Sequence, residues 1–71
     1  MKVYVVSQGN EEFYRVYHVD SDWNRAVKYA VEELEAPEVE LRDSKTELEG
    51  RVVWNCWGEG LNIRITQLDL S

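Results

Sequence analysis

The chain is poor in the residues that build covalent or metal-held folds: 71 residues hold one cysteine, one histidine, one proline and one methionine. A single thiol excludes an internal disulfide. One cysteine and one histidine fall short of the four ligands of a structural zinc site. A lone thiol fits a reducing compartment, so the cytoplasm is the expected location. No apolar run nears the roughly 18 residues of a membrane span. The opening Met1-Lys2-Val3-Tyr4-Val5-Val6 passes directly into polar Ser7-Gln8-Gly9, so no signal peptide is expected. Internal repeats and low-complexity tracts are absent, as is a glycine pattern that would cradle phosphate between a strand and a helix. No cofactor and no metal are expected. Basic residues are also scarce: eight Lys and Arg stand against fourteen Asp and Glu, for a net charge of -6. Such a balance repels nucleic acid and anionic membranes at long range.

Seventy-one residues make one domain, 1–71. A chain of this length buries only about 60% of its unfolded surface, so its core is marginal. Dense aromatic packing and self-association are the remedies left to it. Three Trp, four Tyr and one Phe supply the means for both.

The stretch Asp20 to Leu34 organises the rest. Trp23, Ala26, Val27, Ala30, Val31 and Leu34 form one apolar stripe at helical spacing. Asp20 or Ser21 supplies the cap, and Ala36-Pro37 stops the helix near Glu35. Everything else reads as strand or loop. Lys2–Ser7 and Phe13–Val19 form a first hairpin across a polar loop, and Arg51–Trp57 and Leu61–Thr66 a second across Gly58-Glu59-Gly60. Between them, Val39 and Leu41 alternate with Glu40 and Arg42, which allows a short edge strand within 38–48 and leaves it optional. A bulge near Gln67 would return Leu68 and Leu70 to the core side. The expected fold is α+β: an antiparallel sheet of four or five strands in ββα(β)ββ order, with one helix on one face.

No catalytic set emerges, and an enzyme is not expected. His18 reads as a half-buried strand residue and Cys56 as a small buried apolar one; no spacing brings them together as a nucleophile and base. The acidic run Glu32, Glu33, Glu35, Glu38 and Glu40 lacks the spacing and tight glycine of a calcium loop, and reads as a solvated face.

Charge placement is more informative. Lys2, Arg15, Arg51 and Arg64 fall on predicted strands, while most acids fall on the helix, loops or strand ends. Ile63 and Ile65 need the helix, so Arg64 faces away from it. The same logic gives an uncovered sheet face of Lys2, Tyr4, Arg15, Tyr17, Arg51, Val53, Asn55, Trp57, Asn62, Arg64 and Thr66. The second strand is the open point, since Tyr14, Val16 and His18 fit either face. Tyr4, Tyr17, Arg51, Trp57 and Arg64 are the expected binding residues, with Trp57, Tyr4 and Arg64 near the centre. Such a surface suits a protein partner or a second copy in a homodimer. The alternative is single-stranded nucleic acid, with bases stacked on the aromatic rings. A third reading has the acidic helix end engage a basic partner. No small-molecule substrate and no membrane contact are expected.

The opening Lys2-Val3-Tyr4-Val5-Val6-Ser7-Gln8-Gly9, the short second strand and the helix bearing Ala26, Tyr29 and Ala30 resemble a group of small uncharacterised phage and bacterial proteins. The likeness covers the first half of the chain. It implies a cytoplasmic accessory protein, phage-derived among the origins it allows, and carries over no functional residue. By class analogy, some acidic phage proteins of this size act by blocking a host protein.

Overall fold

The structure is a computed structural model and describes residues 1–10, 13–58 and 60–70. Its elements in chain order are β1 (Lys2–Gly9), β2 (Tyr14–Asp20), α1 (Trp23–Glu33), α2 (Glu38–Asp43), β3 (Thr46–Leu48), β4 (Arg51–Gly58) and β5 (Leu61–Asp69). The five strands form one sheet in the order β2-β1-β5-β4-β3, and every neighbouring pair is antiparallel. This is the expected α+β architecture. The expected turn residues Glu11, Glu12 and Glu59 lie outside the described residues.

The α1 stripe buries Ala26, Val27 and Ala30 in one core with Val6, Ile63 and Ile65 of the sheet, and Trp54 and Cys56 of β4 and Leu41 of α2 join it. Three aromatic rings close the N-terminal end of this core. Trp23 lies on Trp54 with ring centroids 4.0 Å apart, and Tyr4 meets them at 5.9 and 6.1 Å. Tilted contacts of this kind add roughly 0.5–1.5 kcal/mol each beyond area burial. The cap is Asp22, whose side chain accepts from the Arg25 N–H at 3.2 Å. Asp20 sits one step further out and accepts from the Asp22 N–H at 2.9 Å. The helix ends at Glu33, two residues earlier than expected. Glu35 takes a φ of 57°, and the Ala36 N–H turns back to the Ala30 carbonyl at 3.0 Å.

Two further expectations are corrected. Residues 38–43 are helical, and the edge strand is the three-residue β3. Glu38-Val39-Glu40-Leu41 alternates as a strand would, but a single helical turn also separates Val39 from Leu41. Leu41 is fully buried whereas Val39 is 73% exposed, and an Arg42–Glu38 pair at 2.9 Å ties the outer side. The β3–β4 hairpin turns on Glu49 and Gly50, with φ of 54° and 80°. Positive φ at both residues is what the type I′ two-residue hairpin requires. The irregularity placed near Gln67 falls instead on β2: Val6 faces His18 while Ser7 faces Val16, which leaves Tyr17 as the extra residue of a bulge. The β1–β5 register runs unbroken to Lys2–Asp69, and Leu68 faces Val3.

The helical assignment of 38–43 makes a clean prediction. A strand would put Val39 and Leu41 on the same face; the helix separates them. Leu41→Ala should cost about 2–5 kcal/mol in urea denaturation, and Val39→Ala within about 0.5 kcal/mol. Equal losses would refute the helix.

Candidate interaction surface

Side chains alternate along a strand, so one fixed residue sets the face of its whole strand. Ile63, Ile65, Val6, Trp54 and Cys56 lie in the core under the helices. The register then assigns three rows to the opposite face. Val19, Val5, Thr66, Val53 and Thr46 form the first; Val16, Ser7, Arg64 and Asn55 the second; Tyr14, Gly9, Asn62 and Trp57 the third. Arg51 and Leu48, paired at the β4–β3 edge, belong to this face by the same alternation. α1 packs on β1, β2 and β5 and α2 on β4, and among the described residues no element covers the other side.

Of the expected binding residues, Arg51, Trp57 and Arg64 are on this open face. Tyr4 is not: it packs against Trp23 and Trp54 under the helix. Lys2 and Arg15 share that covered side by register, opposite Asp69 and Gln8. Tyr17 is the bulge residue at the outer edge, with the Arg15 guanidinium 5.7 Å from its ring. The physical reason is that β1 is apolar on both sides. Val3 and Val5 can face out only because Tyr4 and Val6 are drawn in by the two tryptophans and α1.

Tyr14 takes the place expected of Tyr4. It stands directly opposite Gly9, where a side chain would collide with the Phe13 carbonyl. The ring therefore reaches across β1, and its hydroxyl donates to Asn62 Oδ1 on β5 at 2.7 Å. Asn62 in turn donates to the Cys56 carbonyl at 3.2 Å and is buried. Arg64 lies 4.5 Å from the Tyr14 ring centroid and donates to its hydroxyl at 3.3 Å. The Ser7 hydroxyl donates to the Arg64 carbonyl at 3.4 Å. The centre of the face is thus a hydrogen-bonded polar patch. Its margins are apolar: Trp57 is 62% exposed, Val16 58% and Val19 55%.

On the helix side, Asp20 joins β2 to α1. It meets His18 Nε2 at 3.0 Å and Arg25 at 3.0 Å, and the His18 ring stacks on Tyr29 at 4.4 Å and 5°. The Asp22 N–H, then His18, then Arg25 hold the Asp20 carboxyl below its ordinary range, against an opposing effect of burial. A groove of about 280 Å³ runs beside this corner, lined by both signs of charge: Arg25, Lys28, Glu32 and Glu33. Cys56 lies on β4, three strand spacings from β2, so it and His18 are roughly 14 Å or more apart at ordinary strand spacing. Burial first, and Glu40 second, push the Cys56 thiol up. Among the described residues, no three His, Cys, Asp or Glu side chains are grouped to hold a metal ion, and no helix is long and apolar enough to cross a membrane.

Compared with known proteins, the chain matches no family model, no curated protein and no solved structure.

Two predictions follow from these contacts. Tyr14→Phe strands the buried Asn62 Oδ1 without its donor and should cost about 1–3 kcal/mol in urea denaturation; an unchanged midpoint would remove Tyr14 as the anchor of the patch. Asp20 has a folded pKa below its unfolded one. It contributes stability above the ordinary carboxylate range of about 4, and that contribution is lost as pH falls through the lower folded value. Asp20→Asn should therefore melt lower than wild type at neutral pH, with the gap closing on acidification. A gap independent of pH would show that the carboxylate charge does not contribute.

Proposed function

We propose that this chain is a non-enzymatic protein-interaction domain of the cytoplasm that binds a polypeptide partner on its open sheet face. The observation that carries the reading is Trp57, 62% exposed on a face that no described element covers, in company with exposed Val16, Val19 and Leu48. Tryptophan is the residue whose truncation most often removes binding energy from an interface. Five strands at about 4.8 Å spacing give a face of roughly 24 by 25 Å, or about 600 Å². That approaches the roughly 800 Å² each partner contributes to a standard interface, and exposed Phe13 and Tyr17 at the β2 edge extend it.

A second copy stacked on this face is a poorer fit. β5 is the middle of the five strands, so a two-fold axis through the sheet centre would bring Arg64 near its own copy. Single-stranded nucleic acid has Tyr14 and Trp57 on the strand rows of the face, with Phe13 and Tyr17 only at its β2 edge, and Tyr14 is already covered by Arg64.

Short random peptides selected for binding to the wild-type domain test the reading. Trp57→Ala should weaken most of them by about 2 kcal/mol or more, whereas Val39→Glu, on the helix side, should leave them unchanged. Peptides indifferent to Trp57 would overturn the reading. So would salt-reversible quenching of tryptophan emission by a mixed-sequence single-stranded oligonucleotide at ~20 mM salt, where phosphate contacts are strongest. Dimers in sedimentation equilibrium that Trp57→Ala dissociates would replace the foreign partner with a second copy.

A further inference from the structure

We infer that the partner segment is apolar and carries a single carboxylate, which seats on Arg64. The inference rests on the reading of the open face as a protein-binding surface. Arg64 is half-buried on the middle strand of the sheet. Among the described residues, none of the ion pairs includes it. Its guanidinium is held on the Tyr14 ring and hydroxyl, while its Nε is buried with no acceptor. On the facing residue, Asn55 Oδ1 is buried with no donor. No described strand residue facing this side is a carboxylate. A positive charge is therefore fixed in position, partly withdrawn from water, and left without a counter-ion. The buried Nε is closed to a partner, so the two terminal NH2 groups of the planar guanidinium are the ones suited to take a carboxylate through paired hydrogen bonds.

The same fork would take a phosphate, and the surroundings decide between the two. A polyanion gains affinity by neutralising many phosphates at once. Among the described strand residues, only Arg51 and Arg64 are cationic on this face, and the chain as a whole carries -6. A polyanion would meet two cations and a repelling molecule behind them. One carboxylate set among apolar side chains meets Arg64 and the valine row beside it, and it is the anion that the remaining charges repel least.

The probe is the set of selected peptides whose binding depends on Trp57. Each should hold one Asp or Glu between apolar residues. Changing that acid to its amide should lower affinity for the wild-type domain about ten-fold or more, as for close charge pairs at other interfaces. The same change should matter little for Arg64→Gln, the signature of a direct pair in a double-mutant cycle. Arg64→Lys, which keeps the charge and loses the fork, should fall between the two. Trp57-dependent peptides that carry no acid overturn the Arg64 seat and leave the protein-binding reading standing. So does an acid whose removal costs the wild type and Arg64→Gln equally. Should Arg64→Gln lose its circular dichroism, the amide change tested against wild type and Arg64→Lys decides the matter. A selection that yields no Trp57-dependent peptide overturns both readings.

Discussion

The fold turns on the direction of one side chain. Tyr4 enters the corner made by Trp23 and Trp54, and because strand side chains alternate, that choice sends Val3, Val5 and Ser7 to the other face. The antiparallel register then passes the phase outward. Val5 fixes Val19 and Thr66, Thr66 fixes Val53, and Ser7 fixes Val16 and Arg64. Slipping β1 by one residue would put Val5 under the helix and Tyr4 and Val6 outside it. It would also separate the aromatic trio that closes the core. The identity of the open face is thus a consequence of core packing on the opposite side of the same sheet.

The parts of this arrangement legible in the sequence are those with a single periodic solution. The stripe from Trp23 to Val31 fits only a helix, and Ile63 and Ile65 with Arg64 between them fit only one orientation of β5. That orientation carries Arg51 and Trp57 with it through β4. β1 gave no such handle, because its two parities, Val3-Val5 and Tyr4-Val6, are almost equally apolar. Only the size of the cavity beside Trp23 and Trp54 distinguishes them, and that is a tertiary property. The bulge at Tyr17 has no compositional mark, so the phase of β2 could not be read either. With it went Tyr14, whose role depends on standing opposite Gly9. Residues 38–43 were ambiguous for a different reason: six residues are too few for periods of 2 and 3.6 to separate.

Two polar centres share the work of holding the sheet's first edge. On the helix side, Asp20 gathers His18, Arg25 and the Asp22 N–H, so β2 is fastened to the start of α1. On the open side, Tyr14 spans β1 to reach Asn62, so the same strand is fastened to β5. An edge strand with exposed Val16, Tyr17 and Val19 would otherwise peel easily or recruit another chain. The bulge lies in the β1–β2 pairing and bends the edge, which makes its outer side a poorer template for another strand. At the other edge the solution differs. β3 is only three residues long, and beyond it the Ser44 hydroxyl takes the Asn55 N–H at 2.7 Å, replacing a missing strand with one side chain.

The separation of charge by face has a kinetic consequence for any partner of the open side. Carboxylates concentrate on α1, α2 and their flanks, and the two arginines of the open face do not offset a net charge of -6. At physiological salt, fields are screened over about 8 Å. An approaching acidic segment is therefore not drawn in from a distance; it meets attraction only on reaching Arg64. Association would then proceed at an ordinary unsteered rate, roughly 10⁵–10⁶ M⁻¹s⁻¹, and discrimination would lie in how long the complex lasts. A polyanion is screened in the same way, and on arrival its attraction is limited to the two arginines. A partner of this face would therefore be selected by short-range contacts at Arg64 rather than by the field of the whole molecule.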